Sequence, residues 1–223
     1  MRWSELSRAD TALAQSEVDD AWSAGDAVLY RLCSKQSDHR EVLQVVAKLW
    51  LIGRAYSAAI ERHPSAHDSA PIAIKDYYLR AAALLKRSDL DDHLSGLSQD
   101  PKTLEDLIPA LEAHACLVLS LRSLSGIDQY SFASKYLHFH RPKWFFILDS
   151  IALRGLGSLS VRARVRLPNY VGHAEYRKFV ARAWHIREGL ASDGHPRLSP
   201  RELDRLLLKY GKYPGCLLRR PKR

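Results

Sequence analysis

The chain has 223 residues, with 34 Lys or Arg against 25 Asp or Glu, so its formal net charge is +9. Hydrophobic residues make up 46% and charged residues 26%, which is typical of a folded globular protein and excludes wholesale disorder. No apolar run approaches the ~18–20 residues of a membrane span, and residues 1–5 lack the apolar core of a signal peptide. We therefore expect a cytoplasmic protein that does not bind membranes.

The positive charge is concentrated in the second part of the chain. Residues 141–223 contain 19 Lys and Arg against 6 Asp and Glu, a net charge of +13, whereas residues 1–140 have a net charge of −4. A basic region beside an acidic one favours a polyanion partner, and nucleic acid is the commonest such partner. Charge that serves solubility, or a basic tail at Arg219–Arg223 without a specific role, explains the same counts.

The three cysteines, Cys33, Cys116 and Cys216, are widely spaced. They form neither a disulfide framework nor a ligand set for zinc or an iron–sulfur cluster. The pattern predicts buried thiols in a reducing compartment, with no metal and no cofactor.

Apolar residues recur at helical spacing along almost the whole chain, and no alternation typical of strands persists. Asp38 and Glu41 have the spacing of a capping box, which predicts the start of a long helix that ends near His63-Pro64. The other predicted helices cover about residues 6–32, 71–85, 104–124, 130–139, 172–190 and 199–210, with a further helix start at Asp149-Ser150. The predicted fold class is all-α.

The segment that indicates chemistry begins at Leu124-Ser125-Gly126-Ile127-Asp128. A predicted helix ends there, a tight turn with one glycine follows, and a second helix begins near Tyr130. Backbone N–H groups at such a helix N-terminus can bind an anion, which suits a DNA phosphate. An ordinary helical hairpin needs glycine at the same position for local reasons, so the turn alone leaves both interpretations open.

This turn resembles the hairpin of the helix–hairpin–helix (HhH-GPD) DNA glycosylase superfamily, whose turn reads roughly Leu-Pro-Gly-Val-Gly. Ser125 stands where proline is usual and Asp128 where the second glycine is usual, so an acidic side chain must turn away from any phosphate. The superfamily carries a catalytic aspartate at the start of a later helix, and its bifunctional members carry a lysine at the start of the second hairpin helix. Matching the turns places Tyr130 at the lysine position, and the interval from Tyr130 to Asp149 then places Asp149 at the aspartate position. The resemblance covers residues 124–152 well and the preceding region loosely.

The resemblance implies an architecture and an activity. It implies two helical lobes with a cleft between them: residues 38–146 as a central domain that ends in the hairpin (about 111–139), and residues 1–37 with 147–223 as the second lobe. Because Tyr130 cannot form the Schiff base of a lysine, it implies a monofunctional glycosylase that leaves an abasic site. Asp149 would be the catalytic carboxylate that stabilises positive charge on the sugar, and the partner of the monomeric protein would be double-stranded DNA.

The remaining assignments concern contacts with DNA. The residues assigned to phosphate contacts are Gly126, Ile127, Asp128, Lys135, His140, Arg141, Arg162, Arg164 and Arg166. The candidates for the wedge or pocket of a flipped base are Arg54, Tyr56, Ser57, Tyr136, His138 and Trp144. Core packing is the alternative for the aromatic members of this set. His138 and His140 lack a third ligand at a readable spacing, so no metal is expected there.

The identity of the base is the least determined feature. Residues 131–140 are unlike those of the common housekeeping glycosylases and look more like a divergent bacterial branch. One such branch acts in antiviral defence by excising glucosylated hydroxymethylcytosine from phage DNA. Two other classes stay open: a non-catalytic helix–hairpin–helix DNA-binding module, and a helical scaffold protein whose basic face binds an acidic protein.

Overall fold

The computed structural model describes residues 8–15, 21–62, 73–159, 167–169 and 171–212. These residues form ten α-helices, two short 3-10 helices (Ile60–Arg62 and Glu105–Leu107) and no strand, which confirms the predicted all-α fold. The helices are α1 (Arg8–Gln15), α2 (Ala21–Lys35), α3 (Val42–Ala55), α4 (Ile74–Lys86), α5 (Leu90–Ser95), α6 (Ile108–Ser125), α7 (Tyr130–His140), α8 (Ser150–Ser158), α9 (Ala174–Ser192) and α10 (Pro200–Lys212).

The chain divides into two compact units. The central unit is Asp19–Phe145, and the terminal unit combines Met1–Val18 with Phe146–Arg223. This division differs from the predicted boundary between residues 37 and 38. The reason is that α2 buries Leu29 and Cys33 in the same core as residues of α3, α4, α6 and α7.

The core of the central unit is apolar and built from several helices. Helix α3 contributes Leu49 and Ile52, α4 contributes Tyr78 and α6 contributes Leu117, all of them almost fully buried. Burial of each such side chain contributes roughly 1.5–3 kcal/mol. The N-terminus of α7 follows directly on α6 in chain order, so this core positions the hairpin.

One helical stretch is long and apolar enough to cross a membrane by length and composition. It runs from Glu105 to Ser125, over 21 residues with a mean hydropathy of 1.4 in its most apolar window. No apolar run of that length was expected from the sequence. In this structure the stretch supplies Leu117, Val118 and Leu121 to the core of the central unit, where they are fully buried.

Helix α3 is shorter than predicted at both ends. It starts after Glu41 rather than Asp38, because the carbonyl of Asp38 accepts a 2.8 Å hydrogen bond from Nζ of Lys48 and lies outside the helix. It ends at Ala55, and two residues later Ser57 adopts a left-handed backbone with φ of 52°. The predicted end at His63-Pro64 and the predicted opening proline, Pro71, lie outside the described residues.

Helices α8 and α10 of the terminal unit cross at very short range. A Cβ atom added to Gly155 of α8 would lie 2.1 Å from the carbonyl oxygen of Leu207. A Cβ added to Gly211 of α10 would lie 2.0 Å from the carbonyl oxygen of Ile151. The crossing therefore requires glycine at both positions, and it fixes the first turn of α8.

Helix α10 begins with the predicted capping box. The N–H of Ser199 donates to Glu202 at 2.6 Å, and the N–H of Glu202 donates to Oγ of Ser199 at 3.2 Å. These reciprocal bonds satisfy two N–H groups at a helix start. At its other end, α10 is joined to α1 because the hydroxyl of Tyr210 donates to Asp10 at 3.0 Å.

Candidate active site

The predicted hairpin is present in the central unit. Helix α6 is followed by its C-cap residue, Gly126, whose φ of 74° is the left-handed conformation. The N–H of Gly126 donates to the carbonyl of Arg122 at 2.8 Å. Ser125, at the usual proline position, donates to the carbonyls of Leu121 at 3.0 Å and Ile127 at 3.1 Å. Its hydroxyl thus holds the turn in shape through hydrogen bonds with the backbone.

The side chain of Asp128 is bound within the hairpin. One carboxylate oxygen accepts from Arg122 at 3.3 Å, and the other accepts from the hydroxyl of Tyr130 at 2.8 Å. The acidic residue at the second-glycine position is therefore paired with a cation of the same hairpin. Its charge is partly compensated locally, which reduces the repulsion that a nearby phosphate would meet.

The N-terminus of α7 has no side-chain cap. Its N-cap residue, Gln129, makes no capping hydrogen bond, and its amide nitrogen instead donates to the carbonyl of Ile60 at 3.2 Å. Gly126 and Ile127 in the preceding turn are exposed. Uncapped N–H groups at a helix start carry partial positive charge, so this end of α7 suits an anionic group.

Tyr130 is the first residue of α7 and is half-buried. Its hydroxyl donates to Asp128, its ring stacks on that of His114 at 6.3 Å between centroids, and its carbonyl is 3.2 Å from Nε2 of His114. At the position that the resemblance matches to the lysine of bifunctional glycosylases, this chain carries a phenol, and a phenol cannot form an imine.

Asp149 caps α8 in the terminal unit, as its position before Ser150 predicted. Its backbone is extended, and Oδ1 accepts hydrogen bonds from the N–H groups of Ile151 at 2.9 Å and Ala152 at 2.8 Å. Both cap bonds fall on the same oxygen, Oδ1. The side chain is half-buried. The cap therefore holds a carboxylate in one orientation at the end of a fixed helix.

Two residues of α7 that were predicted to contact phosphate, Lys135 and His140, are buried, as is every residue from Phe132 to His140. Lys135 is 4% exposed, and its ammonium donates to Oγ of Ser131 at 3.1 Å and to the carbonyl of Tyr56 at 3.4 Å. His140 is also 4% exposed, and its ring stacks on His39 at 5.1 Å. Neither side chain can reach a phosphate in this conformation.

Two residues of α7 that were predicted to line a base pocket are buried as well. Tyr136 and His138 are fully buried. His138 lies with Nδ1 2.8 Å from the carbonyl of Phe145 and Nε2 2.6 Å from the hydroxyl of Tyr30. Because a carbonyl only accepts, Nδ1 carries a proton, and in the neutral ring Nε2 accepts from Tyr30. These side chains tie α7 into the central unit rather than reading a base.

The central unit contains a buried hydrogen-bond network that was not predicted from the sequence. His39 donates from Nδ1 to Asp91 at 2.5 Å, and its Nε2 lies 2.9 Å from the hydroxyl of Tyr136. Burial lowers the pKa of His39, although its hydrogen bond to Asp91 acts in the opposite direction. Burial also lowers the pKa of His140 well below its usual range, with Lys48 adding to the effect. The sequence signal for this buried network was Lys48, a cation on the apolar face of α3.

Of the predicted wedge and pocket residues near the end of α3, Arg54 and Ser57 are exposed and Tyr56 is half-buried. Arg54 pairs with Glu61, whose other oxygen accepts from the hydroxyl of Tyr78 at 2.5 Å. Tyr56 donates to Asp26 and packs edge-on against Phe139. Ser57 is exposed in its left-handed turn, and Trp144 packs half-buried against the central core.

Most basic residues that the structure describes beyond residue 140 are engaged with the protein itself. Arg141 donates from Nε to the carbonyl of Leu94 at 3.2 Å, and Arg187 is only 4% exposed. Further contacts of this kind to backbone carbonyls are made by Arg154, Arg177, Arg182 and Arg205. Arg162, Arg164 and Arg166, which were assigned to phosphate contacts, lie outside the described residues.

Neither a metal site nor a known relative adds to this picture. Within the described ranges, no group of three or more His, Cys, Asp or Glu side chains could hold a metal ion. No family model, curated protein or solved structure matches the chain. The likeness to the glycosylase superfamily therefore rests on the motifs of residues 124–152.

Proposed function

We propose that the protein is a monofunctional DNA glycosylase that hydrolyses the N-glycosidic bond of a damaged or hypermodified base in double-stranded DNA. The proposal rests on one arrangement along the chain. A hairpin turns at a left-handed Gly126, Tyr130 begins the second helix, and Asp149 caps the helix that follows it in the chain.

The hairpin supports the DNA-binding part of the proposal. The uncapped start of α7 offers backbone N–H groups beside the exposed residues Gly126 and Ile127. Such a helix end binds a phosphate through hydrogen bonds and its dipole, without reading the base sequence. The pairing of Asp128 with Arg122 reduces the repulsion between this carboxylate and a phosphate at the turn.

Asp149 supports the chemical part of the proposal. In hydrolysis the bond between C1′ and the base nitrogen breaks, and its electron pair leaves with the base. A water oxygen then bonds to C1′, and the proton that the water loses passes to the Asp149 carboxylate and on to solvent, while the departing base takes a proton. A fixed carboxylate stabilises the positive charge that develops on the sugar and accepts that proton.

The absence of an amine at the lysine position determines the product. Tyr130 cannot form a Schiff base, and the amine of Lys135 is buried against Ser131 and the Tyr56 carbonyl. Without an imine the protein does not catalyse β-elimination at the abasic site. The expected product is an abasic site in an intact strand, together with the free base.

Glucosylated hydroxymethylcytosine of phage DNA is the first substrate to test, since residues 131–140 resemble a divergent branch rather than the housekeeping enzymes. The decisive experiment incubates the protein with matched duplexes carrying normal cytosine, glucosylated hydroxymethylcytosine and several damaged bases. Mass spectrometry then measures the bases released, and alkali cleaves any abasic sites.

We expect release of one class of base and strand cleavage only after alkali. Strand cleavage before alkali would contradict the monofunctional assignment. DNA binding without release from any duplex would contradict catalysis and favour a non-catalytic module. A lack of DNA binding even at low salt would favour the scaffold alternative.

A further inference from the structure

The terminal unit holds the segment leading to Asp149 by a contact that the proposed function does not use. This segment, Phe146–Leu148, has no regular secondary structure, and its three residues are at most 5% exposed. We propose that Tyr176 of α9 is a positioning residue for Asp149. The inference rests on the glycosylase function proposed above.

The contact itself is a buried hydrogen bond. The hydroxyl of Tyr176 donates to the carbonyl oxygen of Phe146 at 2.9 Å, and Tyr176 is 1% exposed. Burial raises the pKa of the Tyr176 phenol, so the group keeps the proton that it donates throughout the neutral range. The bond anchors the backbone at the residue where the chain enters the terminal unit.

The side chain of Phe146 is held by the same helix. The guanidinium carbon of Arg187 lies 5.5 Å from the centre of the Phe146 ring and 3.9 Å from that of Trp184. Arg187 and Trp184 are both almost fully buried. Helix α9 thus holds Phe146 by its backbone and by its ring.

Helix α10 fixes the other end of the segment. The backbone of Gly211 packs directly on Ile151, and the N–H of Ile151 donates to Oδ1 of Asp149. Asp149 therefore lies between an anchor on α9, three residues before it, and an anchor on α10, two residues after it. A carboxylate held from both sides has little freedom to leave its orientation.

A small tilt of the backbone at Phe146 would displace Asp149, which is why the anchor on α9 matters. Three residues span at most about 10 Å, so a tilt of about 6° at Phe146 displaces the Asp149 backbone by up to about 1 Å. A displacement of that size in a reacting group can cost up to a hundredfold in rate. The hydroxyl of Tyr176 opposes this tilt without touching the substrate.

The test compares Tyr176→Phe with Tyr210→Phe in the full-length chain. Each variant removes one hydroxyl from a buried tyrosine of the terminal unit, and the Tyr210 hydroxyl bonds Asp10 instead of the segment before Asp149. The first readout is the single-turnover rate of base release with saturating enzyme, which does not depend on the fraction of molecules that is folded. We expect a ten- to hundredfold lower rate for Tyr176→Phe, unchanged DNA affinity, and a wild-type rate for Tyr210→Phe.

The second readout is hydrogen exchange at the amides of Ile151 and Ala152, which requires no activity. Tyr176→Phe is expected to accelerate exchange at both amides relative to Tyr210→Phe. Arg187→Lys, which loosens the stack on Phe146, is expected to act in the same direction with about a threefold loss of rate. It also provides the test if Tyr176→Phe does not fold.

Three outcomes would overturn the inference. The first is base release by Tyr176→Phe within twofold of the wild type, with unchanged exchange at Ile151 and Ala152. This result overturns the positioning role of Tyr176 and leaves the proposed function standing. An equal loss of rate in both tyrosine variants shows a general structural role and also overturns it. A wild-type protein that releases no base overturns the proposed function, and this inference falls with it.

Discussion

Helices α7 and α8 follow each other in the chain, yet they hold their polar residues in opposite ways. In α7 the residues Phe132–His140 are all buried, and Lys135, Tyr136, His138 and His140 bind or stack on other residues of the central unit. In α8 the only predicted functional group is Asp149, which stands half-buried at the cap. A row of polar side chains on a helix can thus be structural, whereas one capping carboxylate can be held in place and still be partly exposed to solvent.

The first prediction concerns the close contact between α8 and α10 that fixes α8. Gly155→Ala places a methyl group where the Leu207 carbonyl lies, so α8 and α10 must separate. We expect a loss of about 1–3 kcal/mol in the free energy of unfolding, measured by urea titration. Gly157→Ala, on the same helix with open space around it, is the matched control and should be neutral or stabilising by up to ~1 kcal/mol. Equal effects of the two variants would contradict the close crossing.

The second prediction concerns the buried imidazoles that hold α7. Burial lowers the pKa of His39 and of His140 in the folded protein, so below about pH 6.5 the unfolded chain binds more protons than the folded one. Stability should therefore be fully present above about pH 6.5 and should fall as the pH decreases below it, by up to about 1.4 kcal/mol per pH unit for each proton.

Urea unfolding between pH 5 and 8, in steps of half a pH unit, measures this dependence. His140→Phe keeps an aromatic ring on His39 and removes one titrating group, so it should flatten the curve below about pH 6.5. A curve of unchanged slope in that variant would contradict a buried, neutral His140.

The smallest expected effect on stability concerns the helix cap formed by Asp149. Asp149→Ala removes the acceptor for the N–H groups of Ile151 and Ala152 and should cost about 1 kcal/mol in urea unfolding. Asp149→Asn should cost only a few tenths of that because asparagine caps a helix about as well as aspartate. If both substitutions were equally destabilising, the carboxylate would have a structural role beyond the cap.

Local sequence signals predicted several helix ends correctly, although they placed both ends of α3 too far out. The start of α10 follows from the Ser199 and Glu202 capping box, the start of α8 from Asp149, and the end of α6 from Gly126. These features depend on hydrogen bonds between residues two to four apart, which a sequence displays directly. The short helix α5 was not predicted, because six residues are too few to show a helical period.

The burial of α7 could not be predicted in the same way. Lys135 and His140 look like surface cations in the sequence, and their partners, Tyr56 and His39, lie in a distant part of the chain. The short crossing at Gly155 and Gly211 likewise brings together two helices far apart in sequence. Helical periodicity shows that a side chain faces one way, but distant residues decide whether that face is covered.

The central claim is that the carboxylate of Asp149 performs the chemistry of base release. The most direct test measures abasic sites formed by wild type and Asp149→Asn on the substrate duplex, with DNA affinity measured in parallel. Because asparagine keeps the cap and removes the charge, we expect the variant to bind DNA as the wild type does and to release base at least about a hundredfold more slowly. Release by Asp149→Asn at the wild-type rate would contradict the account.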